Sequence, residues 1–427
     1  MSVPQQTKYL IIGNSAAAIG AVEGIRQSDP SGAVTVLTRE RHPAYARPFI
    51  VNFAAKKIDM DKMVFHDPKY LENLGANVVY GVEVSRLDPK GKSATLADGR
   101  VVGFEKLLIA SGGKPIRPPI KGDGQKQVIS FMTADDASLM TLYARETNTA
   151  VVIGGGLIGL KAAEALVDLG LKVVMVELAD FILGRVLDRK AAAIMTAALQ
   201  GRGVEVITSS TVAEITGKRG NVTGVVLKDG RPVEAGLVVV AIGVTPNMDF
   251  IDKNEIKTGR GIVVDEFLRT SRGDIYAAGD VAESRDIVTG QNAVIAVWPV
   301  AKRQGYCAGV NMAGGRKEFK GSLVENVLEF GGCTTVSYGV VSAPVEPGYE
   351  ELVSENKARG IYKKAVLKDG VLVGAVFVRF LQNIGIYRDL IINKTDVRNL
   401  KDSLLEDDFG WKYFPENVRA DKIRNLV

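Results

Sequence analysis

Two glycine-patterned turns in this 427-residue chain, one starting at Gly13 and the other at Gly154, have the spacing that cradles a pyrophosphate. The first follows the apolar run Tyr9-Leu10-Ile11-Ile12 and reads Gly13-Asn14-Ser15-Ala16-Ala17-Ala18; the second follows Val151-Val152-Ile153 and reads Gly154-Gly155-Gly156-Leu157-Ile158-Gly159. Small residues at the three spaced positions let a strand turn sharply, bring backbone N–H groups against phosphate oxygens and seat the next helix on the sheet. The helix start adds unpaired donors and a partial positive charge. Two such turns on one chain imply two dinucleotides and electron transfer between them.

The turns differ in quality. Gly154, Gly156 and Gly159 complete the pattern, and Glu177 closes the following apolar run Lys172 to Val176, at the offset of an acid that hydrogen-bonds a ribose 2′-hydroxyl. A carboxylate there repels a 2′-phosphate, so the second site is expected to take NAD rather than NADP. In the first turn Ser15 and Ala18 replace the second and third glycines, and the following strand, Ala33 to Leu37, ends in Thr38. The nearest carboxylate is Glu40, which is expected beside the adenosine ribose. The first site gains support from Ile275-Tyr276-Ala277-Ala278-Gly279-Asp280 downstream, where Asp280 at a strand end can accept a ribityl hydroxyl.

With these segments in place the chain resembles the two-dinucleotide-fold flavoprotein reductases, above all rubredoxin and ferredoxin reductases and the flavoprotein part of NADH-dependent nitrite reductase. The matching landmarks run in order through Gly13 to Ala18, Tyr45-Ala46-Arg47-Pro48, Ala110-Ser111-Gly112, the Gly154 turn, Ile242-Gly243 with Pro246-Asn247, Gly279-Asp280 and Val297-Trp298-Pro299. The resemblance implies FAD at the first site, held by Gly13, Ser15, Ala16, Ala17, Ala18, Glu40, Arg47, Pro48, Ala110, Ser111, Gly112, Gly279, Asp280 and Trp298. It implies NAD at the second, held by Gly154, Gly156, Leu157, Ile158, Gly159, Glu177 and Gly243.

Two departures from the family pattern bear on catalysis. Where many relatives place a lysine beside the flavin the chain has Asn52, and where they show Gly-Leu-Glu after the second turn it has Gly159-Leu160-Lys161. Lys161 is therefore expected either to supply the missing positive charge at the flavin, with Arg47 as the other catalytic side chain, or to face solvent. The chain also lacks the thiols through which many relatives work. It has two cysteines, and none precedes Cys307. Thiol–disulfide exchange needs a thiolate at the flavin, so disulfide reductase and cysteine-type oxidase or peroxidase activities are excluded at the usual position. Cys307 and Cys333 read as buried thiols of a reducing cytoplasm. His42, near the expected flavin site, is a candidate for proton handling or a plain loop residue; His66 reads as structural.

Composition fits a globular chain of two or three domains: 46% apolar, 24% charged, with no apolar run near the ~20 residues of a membrane span. Met1 to Thr7 shows no signal-peptide pattern. A net charge of +5 leaves open a basic docking face for an acidic partner. The fold is expected to be α/β, with two Rossmann-like three-layer dinucleotide-binding domains, the second inserted in the first, and a C-terminal α+β domain. The expected boundaries are 1–114 with 247–320 for FAD, 115–246 for NAD and 321–427 for an interface module. Lys114 to Gly124 and Gly243 to Phe250 are read as the crossings, and the last dozen residues as mobile.

These features predict an FAD-dependent NADH:acceptor oxidoreductase. It would exchange electrons with a ferredoxin- or rubredoxin-like carrier, or with an iron–sulfur subunit of a larger complex, and would involve no nucleic acid or membrane. Two alternatives stay open: a cysteine-independent NADH oxidase, and a non-catalytic flavoprotein-like assembly subunit.

Overall fold

A computed structural model describes residues 3–419, so most of the last dozen residues lie outside the described chain. The chain divides into two compact units: residues 1–118, 130–142 and 243–322, and residues 119–129, 143–242 and 323–427.

The first unit is built on a seven-stranded sheet. Ala76–Val79, Val34–Leu37, Gln6–Ile12 and Val101–Ile109 lie side by side in parallel, with Ile275–Ala277 parallel to the end of Val101–Ile109. Val84–Asp88 and Ser93–Leu96 add an antiparallel excursion to the sheet. The central strands carry almost continuous apolar sequence, as strands covered on both faces do. The helix Ala16–Ser28 packs on the helix Trp298–Met312 at unusually close range. A Cβ on Gly305 would stand 1.9 Å from the Ala17 carbonyl oxygen, and one on Gly309 2.1 Å from that of Ala21. Contacts rise together along both helices, so they run parallel and their N-termini meet at the same end. The sequence did not announce this pairing, because its glycines fall on two helices far apart in the chain.

The second unit has a parallel sheet in the order Val204–Ile207, Lys172–Val176, Thr149–Ile153, Leu237–Val240, Val128–Ile129. The helix Leu157–Asp168 opens at the second turn, and Asp188 caps the helix Arg189–Gly201 through the Ala191 N–H at 2.9 Å. The C-terminal residues form a five-stranded antiparallel sheet, Glu325–Phe330, Cys333–Gly339, Val371–Val378, Ile361–Lys368 and Tyr349–Asn356, covered by the helix Ile384–Ile392. Buried polar bonds explain why this sheet belongs to the same compact unit as the nucleotide fold. The Asp188 carboxylate accepts from Tyr362 Oη at 2.6 Å and pairs with Lys364 Nζ at 3.0 Å, and Lys364 also reaches Glu351 at 2.7 Å. No helix of the described residues is long and apolar enough to cross a membrane.

Candidate active site

In the first unit, the N-termini of Ala16–Ser28 and Trp298–Met312 converge on the Gly279-Asp280 turn. A Cβ on Gly279 would lie 3.4 Å from Ala17 Cβ and 3.5 Å from Ala301 Cβ. Gly13 makes the sharp exit from the first strand with φ +117°, and any Cβ there would strike the Ala110 carbonyl oxygen at 2.0 Å. Ser15 takes the N-cap position without a side-chain cap bond, leaving the early backbone N–H groups for a ligand. Ala16, Ala17 and Ala18 are buried beneath.

Arg47 is the hub of this end. It pairs with the Glu40 carboxylate, donates to Tyr45 Oη at 3.2 Å and to the Met132 carbonyl at 3.2 Å, and lies close enough to Asp280 for their charges to interact. Tyr45 Oη donates to Glu40 Oε2 at 2.6 Å and accepts from the Ala134 N–H at 3.0 Å. Burial pushes the Asp280 carboxyl above the ordinary range, with Arg47 opposing it. Ser111 Oγ donates to the Asn247 carbonyl at 2.7 Å, and the Asn247 N–H returns to Gly112, so the Ala110–Gly112 segment is pinned to the chain returning after Pro246. Pro48 lies in the short turn Arg47–Phe49 that carries Arg47 at its start.

Sequence reading missed two positioning residues here. Gln304, buried, accepts from the Gly279 N–H at 2.8 Å and donates to Ser284 at 3.0 Å, fixing the turn that carries Asp280. Its signal was a polar side chain at a helix position otherwise filled by small and apolar residues. Tyr45, quoted only as part of a landmark, joins Glu40 to Arg47. His42 pairs with Asp135 at 2.9 Å, and His66 stacks on Tyr70 with ring centroids 4.0 Å apart. Asn14 Oδ1 and Trp298 Nε1 are buried without a hydrogen-bond partner. Unmet polar atoms of this kind, beside two helix starts and a buried acid, fit a polar ligand such as FAD.

The second unit holds the other nucleotide site. Gly154 turns the chain at φ +108°, a Cβ on Gly159 would stand 1.9 Å from the Gly154 carbonyl oxygen, and Gly156 faces open space. Tight turn, close helix seat and open approach are the three roles a pyrophosphate cradle needs. Leu157 and Ile158 begin the helix. Glu177 lies over the turn: Oε2 accepts from the Gly155 N–H at 2.6 Å and Oε1 from the Ala179 N–H at 2.8 Å. Gly243, by contrast, falls in the first unit, where its carbonyl accepts from the Ile116 N–H at 3.0 Å. Lys161 is tied down within the second unit, donating to Glu164 at 2.7 Å and to the Glu329 carbonyl at 2.8 Å. Its ammonium bridges the nucleotide helix and the C-terminal sheet while staying partly exposed.

Cys307 and Cys333 are buried and unpaired, and burial pushes the Cys307 thiol up to about 11. Burial raises the Cys333 thiol as well, so both sulfurs are held toward the protonated, less reactive form.

The fold and paired nucleotide cradles define a flavoprotein oxidoreductase of the two-dinucleotide type. Residues 7–305 match the pyridine nucleotide-disulphide oxidoreductase family, and residues 325–395 match the rubredoxin NAD+ reductase C-terminal domain. The chain belongs to that oxidoreductase family and is an FAD-dependent NADH oxidoreductase. It is 33% identical over 402 residues to the epsilon subunit of NADH-dependent phenylglyoxylate dehydrogenase from Aromatoleum evansii, covering 93% of this chain and 94% of that protein. It is 30% identical over 370 residues to the NAD(P)H nitrite reductase of Bacillus subtilis (strain 168), covering 86% of this chain but 45% of that protein. Among solved structures it is similar to NADH:rubredoxin oxidoreductase from Clostridium acetobutylicum, with TM-score 0.76, 25% identity and coverage of 92% of this chain and 97% of that one.

Proposed function

We propose that the chain passes electrons between NAD(H) and a protein-bound iron–sulfur carrier, as the NAD-reactive subunit of a larger redox enzyme. One observation carries this reading: no cysteine precedes Cys307, and both cysteines are buried, unpaired thiols. Electrons entering from NADH therefore have no thiol relay on the chain and must leave to an external acceptor. Near full-length similarity to a subunit of an NADH-dependent dehydrogenase supports the same assignment.

Bound FAD supplies two-electron uptake from NADH and one-electron release. The chain's residues bind and orient. In the first unit the two converging helix N-termini, Asp280, and Arg47 fixed by Glu40 and Tyr45 would hold the flavin nucleotide. In the second, Gly156 and Glu177 would take the pyrophosphate and ribose of NADH, with the carboxylate turning away a 2′-phosphate. A groove of about 580 Å³ beside Trp298 is lined by Lys302, Arg303, Lys317 and Lys320 against Glu23 and Glu318, with Phe319 on its apolar side. Its excess of positive charge suits an acidic iron–sulfur protein. Two unpaired cysteines support a reducing, cytoplasmic setting.

The test is anaerobic NADH oxidation by the holoprotein with ferredoxin- or rubredoxin-type proteins and one-electron dyes, set against small disulfides. Fast reduction of the one-electron acceptors, slowed by salt, is expected. Rapid turnover of disulfides with inertness toward every one-electron acceptor overturns the proposal.

A further inference from the structure

We infer that this chain binds the adenosine ribose of FAD without a carboxylate, and that Glu40 instead fixes Arg47 inside the flavin site. The inference rests on the assignment of FAD to the first unit.

The two nucleotide folds can be compared bond for bond. Ile12 pairs with Leu37 in the first and Ile153 with Val176 in the second. The Gly13 N–H donates to the Leu37 carbonyl at 2.8 Å, as the Gly154 N–H does to that of Val176 at 2.8 Å. The residue directly after the paired strand is therefore equivalent in the two folds: Thr38 in one, Glu177 in the other. Glu177 is the acid of the fingerprint, lying over its own turn. Thr38 is buried, and its hydroxyl accepts from the Glu40 N–H at 3.2 Å.

Glu40, two residues on, is engaged differently from Glu177: Glu177 accepts from backbone N–H groups at its own turn, Glu40 from side chains of the Arg47 network. One carboxylate oxygen accepts from Tyr45 Oη and the other pairs with Arg47, and the side chain is only 18% exposed. Drawing it toward a ribose would strand a guanidinium and a phenol in a buried network, and removing one partner of such a network is far more costly than the pair is worth. Arg39, next to Thr38, carries the wrong charge to accept a hydroxyl and faces Glu83 at 3.7 Å. The adenosine ribose thus meets neutral or cationic groups at the place where the second fold offers an acid. Affinity for FAD is shifted toward the ribityl and flavin end, where Asp280 and Arg47 stand, and Glu40 is a positioning residue for Arg47.

The experiment measures dissociation constants of the apoprotein for FAD and for FAD lacking the 2′- and 3′-hydroxyls of its adenosine ribose, in wild type and Glu40→Gln. A carboxylate gripping the ribose would cost the analogue about 10-fold or more, since hydrogen bonds to charged groups are the strong ones. The expected wild-type loss is under about fivefold, with Glu40→Gln weakening both ligands by the same factor because it acts through Arg47. A larger wild-type loss, or a Glu40→Gln effect confined to FAD, overturns the inference. Failure of the wild-type apoprotein to bind FAD at all would instead overturn the flavoprotein reading beneath it.

Discussion

The two nucleotide folds share strand order at their turns, the same glycine exit and the same helix start, yet they place their charged groups differently. The second is self-contained: Gly154, Gly156, Gly159 and Glu177 lie within one strand–helix–strand unit, and Glu177 bonds the very turn it serves. The first is assembled from distant pieces. Its helix is seated against Trp298–Met312, its acid is Asp280, and its guanidinium is held by Glu40 and Tyr45. A site that releases its ligand each turnover can be compact and simple. A site that retains its ligand gains from being stitched into several parts of the fold, because each anchor is then held by a different element.

The largest expected effect follows from the shared glycine exit. Gly13→Ala puts a Cβ 2.0 Å from the Ala110 carbonyl oxygen at a φ of +117°. Strain and overpacking together should remove roughly 2–5 kcal/mol from the first unit and abolish FAD binding. A variant that melts and binds FAD like wild type would show that the turn is not as tight as described.

Asp280 should show opposite effects on binding and stability. Its folded pKa is raised by burial, so between the ordinary carboxylate value and the raised one the folded apoprotein binds more protons than the unfolded chain. Stability therefore falls as pH rises through that window and stays lower above it. Asp280→Asn should weaken FAD by about 10–100-fold through loss of the charged acceptor, while raising the apoprotein's melting temperature at pH 7 by roughly 2–4 °C. Lower apoprotein stability in the variant would contradict the burial argument.

On the proposed reading Glu177 selects the nucleotide in the second fold. Glu177→Arg should move the NADPH/NADH ratio of kcat/KM by about 10-fold or more toward NADPH, measured by steady-state kinetics. An unchanged ratio would remove Glu177 from recognition.

Lys161 gives the smallest effect. Its ammonium is held by Glu164 and the Glu329 carbonyl and is partly exposed, and such pairs contribute ~0–1 kcal/mol. Lys161→Gln should leave kcat within about threefold, since a pair of this size changes an equilibrium by a few-fold at most. A fall of thirtyfold or more would return the ammonium to the flavin.

The same contrast governs how much was legible in the sequence. Glu177 and the Gly154 turn could be read because all the parts fall within one local unit with fixed offsets. That Asp280 would lie by the first turn could be expected from its strand and Gly-Asp ending, and the same for Arg47 from its landmark. Glu40's engagement with Arg47 could not be, since spacing along a loop does not say which way a carboxylate turns. Gln304 was missed because its partners, Gly279 and Ser284, lie on a separate turn 20–25 residues back, and the Gly305–Gly309 seat because Ala17 and Ala21 stand at the other end of the chain; neither follows a periodic rule. The edge strand Tyr349–Asn356 is hard to read from sequence because its glutamates hide the alternation; charge on an edge discourages pairing with another chain. Lys161's tie to Glu329 depends on the C-terminal sheet packing with the nucleotide fold, which local sequence does not reveal.

The electron capacity of the holoprotein tests the absence of a thiol relay most directly. Anaerobic titration with NADH, in wild type and in a variant carrying Cys307→Ser and Cys333→Ser, reads the electrons stored per FAD from the visible absorbance. One NADH per FAD is predicted for both proteins, each reduced FAD then yielding two equivalents of a reduced one-electron carrier. Uptake of two NADH per FAD by wild type, falling to one in the variant, would show a disulfide in the relay and contradict the thiol-free route.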